Sequence, residues 1–85
     1  MTRFDYVNAL SGKIFQYNYT ITKIDRSLID TIELARSGKE YLLNSLKTNP
    51  KASYFKDNDI IIQARYVDEK GVYLSSFSVD PKELE

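Results

Sequence analysis

Lys13-Ile14-Phe15-Gln16-Tyr17-Asn18-Tyr19-Thr20-Ile21-Thr22 decides the fold class. Phe15, Tyr17, Tyr19 and Ile21 alternate with Gln16, Asn18, Thr20 and Thr22. That period of two puts bulky apolar side chains on one side of a β-strand and amides and hydroxyls on the other. Upstream, residues 3–9 read in two ways. Phe4, Val7 and Leu10 fall at helical spacing, whereas Phe4-Asp5-Tyr6-Val7 has the aromatic content of a strand. The strand is preferred because Ser11-Gly12 then makes a hairpin loop.

Downstream the period lengthens. Over residues 27–49 a spacing of 3.6 lines up Leu28, Ile32, Ala35, Leu42 and Leu46, the pattern of a helix with one buried stripe. Asp25 or Ser27 can cap its start, Asp30 and Glu33 sit in the first turns where the helix dipole favours anions, and Lys47 sits in the last. Asn49-Pro50 is expected to end it, since proline disfavours a helical residue before it. Ser37-Gly38 in the middle costs about 1 kcal/mol relative to Ala and marks where the helix would divide into two.

The last third reads as a second hairpin. Residues 59–67 and 72–79 are strands, and Asp68-Glu69-Lys70-Gly71 is the turn, with Gly71 placed for positive φ. If Val67 pairs with Val72, the register sets Ile62, Ala64 and Tyr66 opposite Phe77, Ser75 and Tyr73, one apolar and aromatic face. Asp80-Pro81-Lys82-Glu83 has an N-cap, a proline at the first helical position and a glutamate at the third, the start of a final turn of helix. The expected fold is therefore a single α+β domain over residues 1–85. Two hairpins form an antiparallel ββαββ sheet packed on one central helix, with the opposite sheet face left open.

Composition narrows the chemistry. The 85 residues include 12 Lys and Arg against 12 Asp and Glu, and no His, Cys or Trp. There can be no imidazole base, serine triad, thiolate nucleophile, disulfide or His- or Cys-ligated metal. The remaining carboxylates form no recognisable site. Asp57-Asn58-Asp59 opens like a calcium loop but lacks the later ligands and the glycine, and Gly12-Lys13 and Gly38-Lys39 lack the rest of a phosphate-binding loop. No cofactor, no metal and no enzyme activity are expected. The start of the chain has no apolar leader core, and no window is long and apolar enough to span a bilayer, so a cytoplasmic protein without a membrane partner is expected. The Asn18-Tyr19-Thr20 sequon is read as strand surface. The matching Ser-Gly-Lys triplets at 11–13 and 37–39 have no third copy, which argues against a repeat fold.

Zero net charge conceals a split, because residues 1–56 carry nine basic and five acidic side chains and residues 57–85 carry three and seven. Either the segments interleave in one sheet or the domain is dipolar. Seven Tyr against four Phe is also a composition suited to interfaces.

One helix cannot cover Phe15, Tyr17 and Tyr19 together with the apolar face of the second hairpin, so aromatic surface should remain exposed. Phe15, Tyr17, Tyr19, Tyr66 and Tyr73 are the expected contact residues for a protein partner or a second copy in a homodimer. The expected role is a non-enzymatic accessory or regulatory module, inhibitory in character. Residues with AT-rich codons (Phe, Tyr, Met, Ile, Asn, Lys) far outnumber those with GC-rich codons (Gly, Ala, Arg, Pro), which suggests a phage or mobile element of a low-GC host. The alternative is a single-stranded nucleic-acid binder, in which Lys13 and Lys23 meet phosphates while the β-strand rings stack on bases. Against it, the basic stripe is thin.

Overall fold

A computed structural model describes residues 1–84. Strands β1 (Thr2–Leu10) and β2 (Ile14–Ile21) form the first hairpin. Helices α1 (Thr31–Lys47) and α2 (Lys51–Asp57) follow, then β3 (Ile61–Val67) and β4 (Tyr73–Val79), with short 3₁₀ turns at Arg26–Leu28 and Pro81–Leu84. Residues 3–9 are strand, and Gly12 and Lys13 take positive φ in the turn behind them. The sheet order is β1-β2-β3-β4.

The expectation of a purely antiparallel sheet is corrected. Both hairpins are antiparallel, but β2 and β3 run parallel, Ile14 beside Ile61 and Thr20 beside Val67. The cause is the crossover. α1 has 17 residues and measures about 25 Å, close to the roughly 26 Å of an eight-residue strand. One helix of that length returns the chain to the end of the sheet where β2 began. A strand starting there can only run alongside β2 in the same direction.

The helix starts later than the stripe suggested. Asp30 is the N-cap, its carboxylate accepting from the Ile32 and Glu33 amides, so neither Asp25 nor Ser27 caps α1. Starting at Thr31 fixes the inward face as Leu34, Gly38, Leu42 and Leu46, one i+4 ridge, and leaves Leu28 and Ile32 exposed. Ser37-Gly38 does not divide it. A Cβ on Gly38 would sit 2.7 Å from the Tyr66 hydroxyl and 2.8 Å from the Phe77 ring, so the glycine lets α1 lie directly on β3 and β4. Pro50 ends α1 and also opens α2, because its fixed φ of −56° already suits a helix.

The second hairpin is displaced from the expected register. Asp68 and Val72 close the turn, the Asp68 amide donating to the Val72 carbonyl at 2.9 Å, and Leu74 bulges out of the ladder. Ile62, Ala64 and Tyr66 therefore face Val79, Phe77 and Ser75. Tyr73 lies on the opposite face, opposite Val67, with the Arg65 guanidinium 5.6 Å over its ring. The final turn forms as its residues imply: the Asp80 carboxylate accepts from the Lys82 amide, and the Glu83 carboxylate accepts from the Asp80 amide.

Two buried clusters hold the layers together. Leu46, Phe55, Ile60, Ile62 and Val79 form one, and Ile21, Ala64, Tyr66 and Leu74 the other. Both lie largely under α1 and α2, over the β3–β4 half of the sheet. Ser75 fastens this arrangement by donating to the Thr31 carbonyl at 2.8 Å, and the Lys39–Glu83 ion pair at 3.0 Å joins the basic segment to the acidic one.

Candidate functional site

The helical layer stops short of β1 and only partly covers β2. Every residue of β1 is exposed. The space beside α1 is a groove of about 460 Å³. Tyr17 and Tyr19 of β2 form one wall and Leu34, Ser37 and Tyr41 of α1 the other, with Ala64, Tyr66 and Ile62 at the bottom. Phe55 closes one end, edge-on to Phe15 with 6.2 Å between ring centroids.

The depth of the groove follows from the parallel register. Tyr17 is paired with Ala64, and Tyr19 with Tyr66. The small alanine lowers the floor beside Tyr17, while Tyr19 and Tyr66 stack with centroids 5.3 Å apart, an interaction typically worth about 0.5–1.5 kcal/mol beyond area. Burial, and after it the neighbouring tyrosines, pushes the Tyr19 and Tyr66 hydroxyls above their usual pKa. Phe4 extends the aromatic surface onto β1, lying 5.6 Å from Tyr19 and 6.0 Å from Tyr17 between centroids, and it is 53% exposed.

The expected contact residues separate into three settings. Phe15, Tyr17 and Tyr19 lie on the helix side of the sheet; Phe15 is packed under α2, and Tyr17 and Tyr19 are half-buried at the groove. Tyr66 is buried in the groove floor. Tyr73 is on the other face, its hydroxyl 2.8 Å from the Ser76 hydroxyl. Lys13 and Lys23 lie beyond opposite ends of β2 and do not converge on the rings between them. The groove also uses Leu34, Gly38 and Tyr41, and Phe4 flanks it against Tyr17 and Tyr19; the residue pattern does not mark these four as contact residues. The signals for them were present: Leu34, Gly38, Tyr41 and Leu42 share one helical face, and Phe4 is opposite Tyr19 once β1 is a strand.

The middle of the uncovered sheet face is polar. The Gln16 amide donates to the Gln63 carbonyl oxygen at 2.8 Å, and the Asn18 amide donates to the Gln16 backbone and side-chain oxygens at 3.2 and 3.3 Å. Asn18 of the sequon is only 4% exposed, so its nitrogen is committed to this ladder. At the β1 side, Thr20 donates to the Asp5 carboxylate, which Arg3 also holds at 2.7 Å. The Thr20 hydrogen bond, then the Arg3 guanidinium, keep the Asp5 carboxyl below the usual range. Among the described residues no buried side-chain polar atom lacks a partner, and no cluster of three or more acidic residues is placed to hold a metal ion. No helix among them is long and apolar enough to cross a membrane.

A second concavity, about 510 Å³, lies between residues 23–25 and the β3–β4 turn. It is lined by Lys23, Asp68, Glu69 and Lys70, and the Glu69 carboxylate accepts there from the Lys23 amide. Its polar groups serve the loops that form it. The groove beside α1 is therefore the stronger candidate for a binding site. No protein-family model, curated protein or solved structure matches the chain.

Proposed function

We propose that the protein is a non-enzymatic binding module that holds an apolar segment of a protein partner in the groove between α1 and β2. Phe4, Tyr17, Tyr19 and Tyr41 are its contact anchors. One observation carries the reading: the helices leave β1 uncovered and β2 only partly covered, and aromatic side chains there line a groove deep enough to take a partner's side chains. Tyrosines offer large, stiff contact area with a hydroxyl at the rim, which is why they recur as binding anchors. A partner helix laid beside α1, or a strand on the same face, would complete the layer that the chain leaves unfinished. The AT-rich composition suits a small accessory or inhibitory factor from a phage or mobile element.

The test is selection of peptides from a random library, followed by titration against variants. Selected peptides should be rich in apolar residues and lose at least about tenfold in affinity with Phe4→Ala and with Tyr41→Ala, both exposed sites whose truncation spares the core. Peptides indifferent to both substitutions would overturn the reading. So would tight binding of mixed oligonucleotides at about 50 mM salt that is lost with Lys13→Ala and Lys23→Ala, which would favour the nucleic-acid alternative.

A further inference from the structure

β1 is an edge strand, and no described residue pairs with its outer edge. Opposite it in the sheet, β4 is held under α1 and kinked by the bulge at Leu74. A bulge also interrupts β1, between Phe4 and Tyr6. Across it the alternation of faces slips by one, since Phe4 and Val7 both share the groove side with their partners Tyr19 and Tyr17. A straight incoming strand cannot match both parts of β1. Residues 6–10 are the longest unbroken run, with Tyr6, Asn8 and Leu10 toward the polar face and Val7 and Ala9 toward the groove face.

Exposed edges ordinarily carry a lysine, a proline or an inward-facing charge that discourages pairing. Residues 6–10 carry none of these. The charges of β1, Arg3 and Asp5, precede the run and neutralise each other at 2.7 Å. The chain has 12 positive and 12 negative side chains, so two copies approach without net repulsion.

We propose that a second copy of this chain adds to this edge, β1 pairing antiparallel with the partner's β1 about a two-fold axis through Asn8. Only that centre uses all five residues of the run. Tyr6 then falls opposite the partner's Leu10, Val7 opposite the partner's Ala9, and Asn8 opposite the partner's Asn8. Within the run the pairing brings no charges together and sets apolar side chains against each other on both faces. An axis normal to the sheet keeps the groove sides together, so the product is one eight-stranded sheet with Phe4 and Val7 of both copies in its middle.

The area is small, as in a weak and reversible association. Tyr6, Val7 and Leu10 are 52, 48 and 40% exposed, and Tyr6 offers about 100 Å². With the backbone of a five-residue run about 17 Å long, the contact reaches roughly 300–400 Å² per copy, in the range of weak, transient interfaces. A dimer that dissociates in the range of hundreds of micromolar follows. The inference concerns the strand edge, goes beyond the groove reading and does not depend on it.

Sedimentation velocity from about 1 µM to about 1 mM tests it, with circular dichroism checking that each variant is folded. The wild-type chain should pass from monomer to dimer. Asn8→Asp and Asn8→Lys place like charges on the axis, and each should weaken association at least about tenfold. An equimolar mixture of the two should restore it, which a merely damaged strand could not do. Tyr41→Ala should leave association intact, so the groove and the edge fail separately. A monomeric wild type at about 1 mM, an unweakened Asn8→Asp dimer, a mixture that stays monomeric, or growth beyond the dimer would overturn the proposal.

Discussion

The two halves of the sheet have similar strand chemistry and opposite fates. β3 and β4 lie beneath α1, and Ile62, Ala64 and Val79 are at most 2% exposed. β1 and β2 present Phe4, Val7, Tyr17 and Tyr19 to the same side, yet Phe4 and Val7 stay about half exposed. The difference lies in what packs above each half rather than in the strands themselves. One helix about 10 Å across covers roughly two strands spaced about 4.8 Å apart. Gly38 decides which two, because only there can the α1 backbone settle onto Tyr66 and Phe77.

Substitutions should expose that asymmetry directly. The largest effect is expected for Ile62→Ala, which empties a site 2% exposed in the covered half. It should cost about 2–5 kcal/mol in urea unfolding, and a loss below about 1 kcal/mol would mean that the layers are not packed as described. Gly38→Ala comes next. The added methyl clashes with two rings at a cost of about 1–3 kcal/mol, offset by up to about 1 kcal/mol of helix propensity. A lower thermal midpoint is the expected result, whereas a stabilised variant would show that α1 does not rest on β3 and β4 at this point.

The solvent side of α1 should respond to acid. Glu33 accepts from Arg36 and from Ser37, and these hydrogen bonds, with Arg36 the larger cause, hold its carboxyl at about 2 rather than 4.5. Because the folded value is the lower one, this stabilisation is complete above pH 4.5 and is lost as pH falls toward about 2. Arg36→Gln should flatten that part of the acid titration, read as helical circular dichroism, and an unchanged profile would remove Glu33 as its source. The smallest effect is expected in the bare half: Val7→Thr should change stability by less than about 0.5 kcal/mol when measured dilute. A larger loss would mean that β1 is covered after all.

Much of the fold was legible because it depends on neighbours in sequence. The alternation at residues 14–21 declared β2, and Ser11-Gly12 settled the strand reading of β1. Asp80, Pro81 and Glu83 announced the last turn. What was not legible depends on distant partners. Whether β3 runs with or against β2 is set by how far one helix carries the chain, which no local pattern encodes. Gly38 looked like a helix breaker because the rings that require it, Tyr66 and Phe77, are 28 and 39 positions further on. The aromatic stripe of β2 could be assigned to a face but not to a degree of cover. Tyr73 was placed beside Tyr66 because the bulge at Leu74 leaves no mark in the residue pattern.

The parallel junction also bears on how the chain reaches this structure. Each hairpin and each helix can form from residues close together, on microsecond timescales. Gln16 and Gln63, which join the two hairpins, are 47 positions apart. A two-stranded hairpin alone is marginal in water, so neither half persists until that closure is made. We expect that loop-closing event to govern the folding rate of the whole domain, since it joins two halves that are each marginal alone.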